Sequence, residues 1–148
     1  KPCFLVHRLD RFASGILALA HSKSAAKAMS KQFRERSVEK VYKALVHGCL
    51  LKKIKLESPI DGKKSISHVS PICNDQSRTL VSVRIETGRK HQIRRHLSEL
   101  GYPIIGDRQY GSETIINLQL ASVFISFVSP ETKKRVAFDL PEAHHPKL

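Results

Sequence analysis

Apolar residues recur along this chain at both helical and strand spacing. Ile16–Ala20 is a short unbroken apolar run after a Ser14-Gly15 turn signal, which predicts a buried strand. Ala26, Met29 and Phe33 then form one stripe along a helix that Ser22 caps and that runs from Lys23 to about Arg36. Its other faces carry Lys23, Lys27, Lys31, Arg34 and Arg36, a solvated surface. Val41, Lys43 and Leu45 alternate with Tyr42, Ala44 and Val46. Val81, Val83 and Ile85 alternate with Ser82, Arg84 and Glu86. Both patterns predict strands. Ser58–Ser67, rich in Ser, Gly and Lys, reads as a loop. After Thr87-Gly88, a short helix around His91–Leu100 would place Ile93, Leu97 and Leu100 on one face, with Gly101 as its stop. Val123–Val128 and Val136–Leu140 predict a hairpin around Pro130–Lys134. Strands outnumber helices, so the fold class is α+β with a largely antiparallel sheet.

Length allows one domain: 148 residues can bury a real core but do not comfortably make two. A hydrophobic content of 41% excludes a disordered tail. The longest apolar runs are far too short to span a bilayer, and no secretory-signal pattern is present. Cys3, Cys49 and Cys73 form no CxxC pair and read as reduced thiols of a cytosolic protein, without a metal or redox role. Charge is more informative. Lys and Arg number 26 against 13 Asp and Glu, a net +13. Such an excess points to a polyanionic partner, with nucleic acid the first choice and an anionic membrane surface the second. The plain alternative is a solvated basic surface, although acidic residues serve solubility better.

Three constellations could carry chemistry. In His7-Arg8-Leu9-Asp10, positive charge from Arg8 and Arg11 favours the carboxylate form of Asp10, which could then serve as nucleophile or base. On residue types alone, a surface ion pair explains the same pattern. Thr87–His96 gathers Arg89, Lys90, His91, Gln92, Arg94 and Arg95 at a helix start after a glycine turn. Helix N-termini attract anions, and Arg can bind them bidentately. A basic solvated helix is the alternative. Tyr42, flanked by Lys40 and Lys43, could stack on a base while the lysines hold phosphates, or be a sheet-face aromatic. No GxxxxGK[ST], GxGxxG, GxSxG or HExxH motif is present. His91 and His96 are spaced wrongly to share a helical face, and His144-His145 reads as a surface tail.

Taken in order, HRLDRFASG, EKVYKALVHG and ETGRKHQIRRHLSELGYPIIGDRQYG resemble the RluA-type family of RNA pseudouridine synthases. SFVSPETKKRVAFDLP resembles that family's closing hairpin, so the likeness extends from His7 to Pro141. It implies a single catalytic domain over residues 1–148, with a mixed, mainly antiparallel sheet, flanking helices and a central RNA cleft. It implies isomerisation of a uridine in ribosomal or transfer RNA to pseudouridine without cofactor or metal, by a cytoplasmic monomer with no membrane contact. By motif match, Asp10 is the catalytic carboxylate, Tyr42 contacts the target base, and Arg94 pairs with the catalytic aspartate. Ile93 packs near the base, and Arg8, Arg89, His91 and Gln92 shape the cleft or hold RNA.

The sequence also departs from the family. Ala13 stands where the family has Thr, and Ala121 where it often has His. Only six residues precede His7, where the family has several strands, so the expectation is an N-terminally truncated domain lacking the first strands. The competing readings are a non-catalytic RNA-binding module on the same fold and a structural ribosome-associated protein.

Overall fold

The computed structural model describes all residues, 1–148. In chain order its elements are β1 (Phe4–Leu5), β2 (Ser14–Gly15), β3 (Leu19–Ala20), α1 (Lys23–Arg34), β4 (Glu39–His47), β5 (Ile54–Leu56), β6 (Ser67–Asn74), β7 (Arg78–Ile85), α2 (Gln92–Leu100), β8 (Leu120–Val128) and β9 (Arg135–Asp139), with a final 3₁₀ turn at Glu142–His144. The main sheet has the order β2-β8-β4-β7-β6-β5, and β9 also pairs with β8. All its pairs are antiparallel except β2 with β8. The fold is therefore α+β with a mixed, mostly antiparallel sheet.

Alternation along the two central strands builds the core. Ala44, Val46, Val81 and Val83 are fully excluded from solvent. They join Tyr42, Ile93 and Leu97 in a cluster of 13 buried residues that packs α2 against the sheet. Leu45 points to the other face, against Leu80 and Ile105. α2 ends as its sequence requires, with Gly101 at φ 96°. α1 starts at its Ser22 cap, whose hydroxyl accepts the Ala25 amide at 3.1 Å. It stops at Arg34, two residues before the predicted Arg36, which lies at φ 59° outside helical space. Met29 is its buried anchor. Gln32 then ties the helix to the sheet, exchanging two hydrogen bonds with the backbone of Val128 at 2.7 and 2.8 Å.

One strand expectation is corrected, and two strands are added. Ile16–Ala20 is not one buried strand: β2 pairs with β8, β3 pairs with β1, and the chain bends between these two partners. At the bend the Ala18 amide bonds the His7 ring at 2.9 Å instead of a neighbouring strand. Leu17 and Leu19 are exposed, and only Ala20 is buried. β5 and β6 are unforeseen. β6 contains Pro71, which removes a ladder donor and sits at a bulge, so its sequence does not read as a regular strand. The predicted loop does occupy most of Ser58–Ser67, although Ser65, Ile66 and Ser67 are buried.

Gly15 fixes where the segment after Asp10 lands. It lies at φ 112°, and a Cβ there would meet the Ser122 carbonyl oxygen at 2.2 Å. Gly15→Ala is expected to destabilise the protein by about 2 kcal/mol or more, read as a lower midpoint in urea unfolding.

Candidate active site

A cleft of about 460 Å³ opens where β4, the start of α2 and the segment before β2 meet. Asp10, Tyr42, Ile93, Arg8, Arg89 and Gln92 all line it. These residues come from three distant stretches of the chain, and the fold brings them to one wall-and-floor arrangement. Tyr42 and Ile93 belong at once to the core cluster and to this floor, so packing holds them rigid. Burial first, and the Asp10 charge second, push the Tyr42 hydroxyl up to about 12. At neutral pH it is therefore a hydrogen-bond donor on an aromatic ring, not a base.

The Asp10 carboxylate makes no side-chain hydrogen bond or ion pair; only the Asp10 carbonyl is engaged, accepting the Ala13 amide at 3.0 Å. The expected Asp10–Arg94 pair is corrected. Arg94 instead donates two parallel bonds to Asp107, Nε to Oδ2 and Nη2 to Oδ1, both at 2.9 Å. Both side chains are nearly sealed from solvent, at 6% and 0% exposure. Asp107 wins because it is prearranged: it also accepts the Gln109 and Tyr110 amides at 3.1 Å each. Burial alone would raise its pKa, but the bonds from Arg94 and the Tyr110 amide outweigh it and hold the carboxylate below the usual range. Arg94 is raised, by the Asp107 bond first. The Asp10 charge adds to that shift, so the two side chains interact electrostatically without pairing.

Arg94 and His91 face a second cleft rather than the first. The His91 ring bonds the Tyr110 hydroxyl at 2.8 Å, and the Arg94 guanidinium lies 5.0 Å from the centre of the Tyr110 ring. Burial is the main cause that lowers the His91 pKa. His91 itself sits at φ 55°, a left-handed turn into α2. Gln92 has no group left for a ligand. Its oxygen accepts from the Thr87 hydroxyl and the Arg89 amide, and its nitrogen donates to the Ile66 carbonyl and the Ser67 hydroxyl. It braces the Thr87–Arg89 turn. Arg89 gives its Nε to the Lys64 carbonyl at 2.9 Å, and its outer nitrogens remain free to meet an anion. Among the closing histidines, His145 folds back, bonding the Leu140 carbonyl at 2.7 Å rather than lying free.

Sequence reasoning gives Lys40 only as a phosphate contact and assigns no role to His7 or Asp107. Lys40 lines the Asp10 cleft with its pKa lowered by burial, its ammonium 5.7 Å from the centre of the Phe33 ring. Strand alternation carried that signal, since Lys40 lies two residues before Tyr42 and shares its face. The His7 ring stacks on Phe33 at 4.7 Å. Its Nε2 accepts the Ala18 amide, which requires the neutral ring. Asp107 lies within the GYPIIGDRQYG stretch of the third motif, but its pairing with Arg94 carried no signal, because the loop's tertiary path sets it.

Comparison with known proteins identifies the family and the fold. The model of the RNA pseudouridylate synthase family matches residues 1–99. Ribosomal large subunit pseudouridine synthase C of Buchnera aphidicola is 38% identical over 93% of this chain and 52% of its own length. Ribosomal large subunit pseudouridine synthase D of Pseudomonas aeruginosa is 34% identical over 72% of the chain and 38% of its own length. The solved structure of human RNA pseudouridylate synthase domain containing 1 superposes with a TM-score of 0.83 at 25% identity, covering 98% of this chain and 71% of that one. The chain belongs to the RluA-type family of RNA pseudouridine synthases. It spans about half the length of the curated relatives it matches.

Two measurements check the electrostatics. Asp107→Asn leaves a buried guanidinium without its counter-charge and is expected to cost about 3–5 kcal/mol in urea unfolding. His7 is pushed down to about 4 from 6.5, by burial first and the Lys40 charge second. Between those values the unfolded chain binds more protons, so stability falls as pH drops from 6.5 towards 4. His7→Gln is expected to flatten that part of the stability–pH curve.

Proposed function

We propose that this domain isomerises uridine in RNA to pseudouridine, with Asp10 as the catalytic carboxylate and without a cofactor. The observation that carries the reading is the convergence of Asp10, Tyr42 and Ile93 in one cleft, with Asp10 left unpaired there. The reaction breaks the bond between N1 of uracil and C1′ of ribose, turns the base and joins C5 to C1′. The proton lost from C5 is balanced by one gained at N1. Asp10 attacks the everted nucleotide. Tyr42 and Ile93 hold the uracil between a ring and an aliphatic surface. Arg94, clamped by Asp107, supplies fixed positive charge beside the reacting carboxylate.

The energetics are consistent. Everting a base costs a few kcal/mol, and stacking on an aromatic ring returns about 1–3 kcal/mol. Arg8, Arg89 and Lys40 at the rim, with the net +13 of the chain, supply phosphate contacts. The relatives named for the large ribosomal subunit favour a ribosomal RNA substrate over transfer RNA. No helix is long and apolar enough to cross a membrane. We place the enzyme in the cytoplasm as a monomer.

Tritium release from 5-tritiated uridine RNA tests the reading. Wild type is expected to release tritium, and Asp10→Asn to fall by a factor of about 10³ or more while retaining RNA affinity within a few-fold. Equal release by both would remove Asp10 from the chemistry. Salt-sensitive binding with no modified base from either would leave a binding module.

A further inference from the structure

The segment from Asp10 to Ser14 is a thin ridge between two clefts. Asp10 and Ala13 face the cleft described above, whereas Arg11, Phe12 and Ser14 face the second, which holds about 710 Å³. The second cleft is lined by Arg11, Arg94, Arg108 and histidines, and by no carboxylate. Arg94 is taken by Asp107, but Arg108 ties down only its Nε, to the Thr114 carbonyl at 2.7 Å, which leaves its outer nitrogens unengaged. Phe12 is 61% exposed, and the Arg11 guanidinium lies 5.2 Å from its ring centre. An aromatic face held out to solvent beside free guanidinium groups fits a ligand that carries both a flat base and a phosphate. An acidic peptide would use the arginines but not the ring's face.

We propose that the second cleft is a subsite for the nucleotide next to the one that enters the Asp10 pocket, its base stacked on Phe12 and its phosphate held by Arg11 and Arg108. The proposal rests on the reading of the first cleft as a uridine pocket. Consecutive nucleotides are covalently joined and the ridge is only a few residues thick, so a strand that fills one cleft passes directly into the other. The ridge then does two jobs: one side presents the reacting carboxylate, and the other anchors the flanking strand.

Fluorescence anisotropy with a labelled pentauridylate tests this, alongside competition by the nucleoside uridine, which lacks the phosphate that Arg11 and Arg108 would hold. Phe12→Ala is expected to weaken pentauridylate binding about tenfold, and Phe12→Tyr to restore it. Arg108→Ala is expected to weaken it several-fold and to lower the salt slope by about one. Uridine should bind all three variants as it binds wild type. Unchanged pentauridylate affinity in Phe12→Ala, equal loss of both ligands, or no pentauridylate binding by wild type would overturn the subsite. Tritium release by the same proteins separates the two claims. Release with no Phe12 effect removes the subsite alone, and a Phe12 effect without release removes the catalytic reading alone.

Discussion

A guanidinium sealed inside a small protein must find a carboxylate, and here the choice of carboxylate organises the site. Arg94 at the start of α2 is met by Asp107, which two backbone amides already hold in place. The Tyr110 ring beneath Arg94 and its hydroxyl bond to His91 extend the same lock to the turn that begins the helix. Such a pair contributes little stability relative to apolar residues of the same volume, so its value lies in geometry. It pins a positive charge beside the cleft while leaving Asp10 uncommitted.

The rest of the fold serves the same end by different means. β2 hangs the ridge on β8 through a parallel pairing that only a glycine can approach closely enough to make. Gln92, fully engaged by Thr87, Arg89, Ile66 and Ser67, sets the turn from which Ile93 and Arg89 reach the cleft. Tyr42 is pinned by the core on one side and exposed to the cleft on the other. The outer nitrogens of Arg89 stay unengaged, whereas Tyr42 and Ile93 at the floor are held by the core. That division suits a polyanion that must be gathered from solution and then held at one base.

Much of this was readable from residue order. The alternation in β4 and β7 gives their core faces, Ser22 and Gly101 mark helix ends, and six of the eight motif residues, Arg8, Asp10, Tyr42, Arg89, Gln92 and Ile93, line one cleft, whereas His91 and Arg94 face the other. The failures share a cause. Ile16–Ala20 looks like one strand because hydrophobicity does not show that a chain changes partners midway. β6 hides behind Pro71, whose irregularity is tolerated only because a bulge absorbs it. The Arg94 partner depends on a loop path after α2 that no periodicity encodes. The motif match left open whether Gln92 shapes the cleft or holds RNA, and only its surroundings reveal that the protein uses all of its hydrogen-bonding capacity.

Double-mutant cycles in urea unfolding test the central claim most directly, one cycle joining Arg94 to Asp107 and the other joining Arg94 to Asp10. A clamped arginine and a free carboxylate predict a coupling of about 1.5–3 kcal/mol in the first cycle and less than about 0.5 kcal/mol in the second. Strong coupling between Arg94 and Asp10, with additive losses for Arg94 and Asp107, would contradict the account.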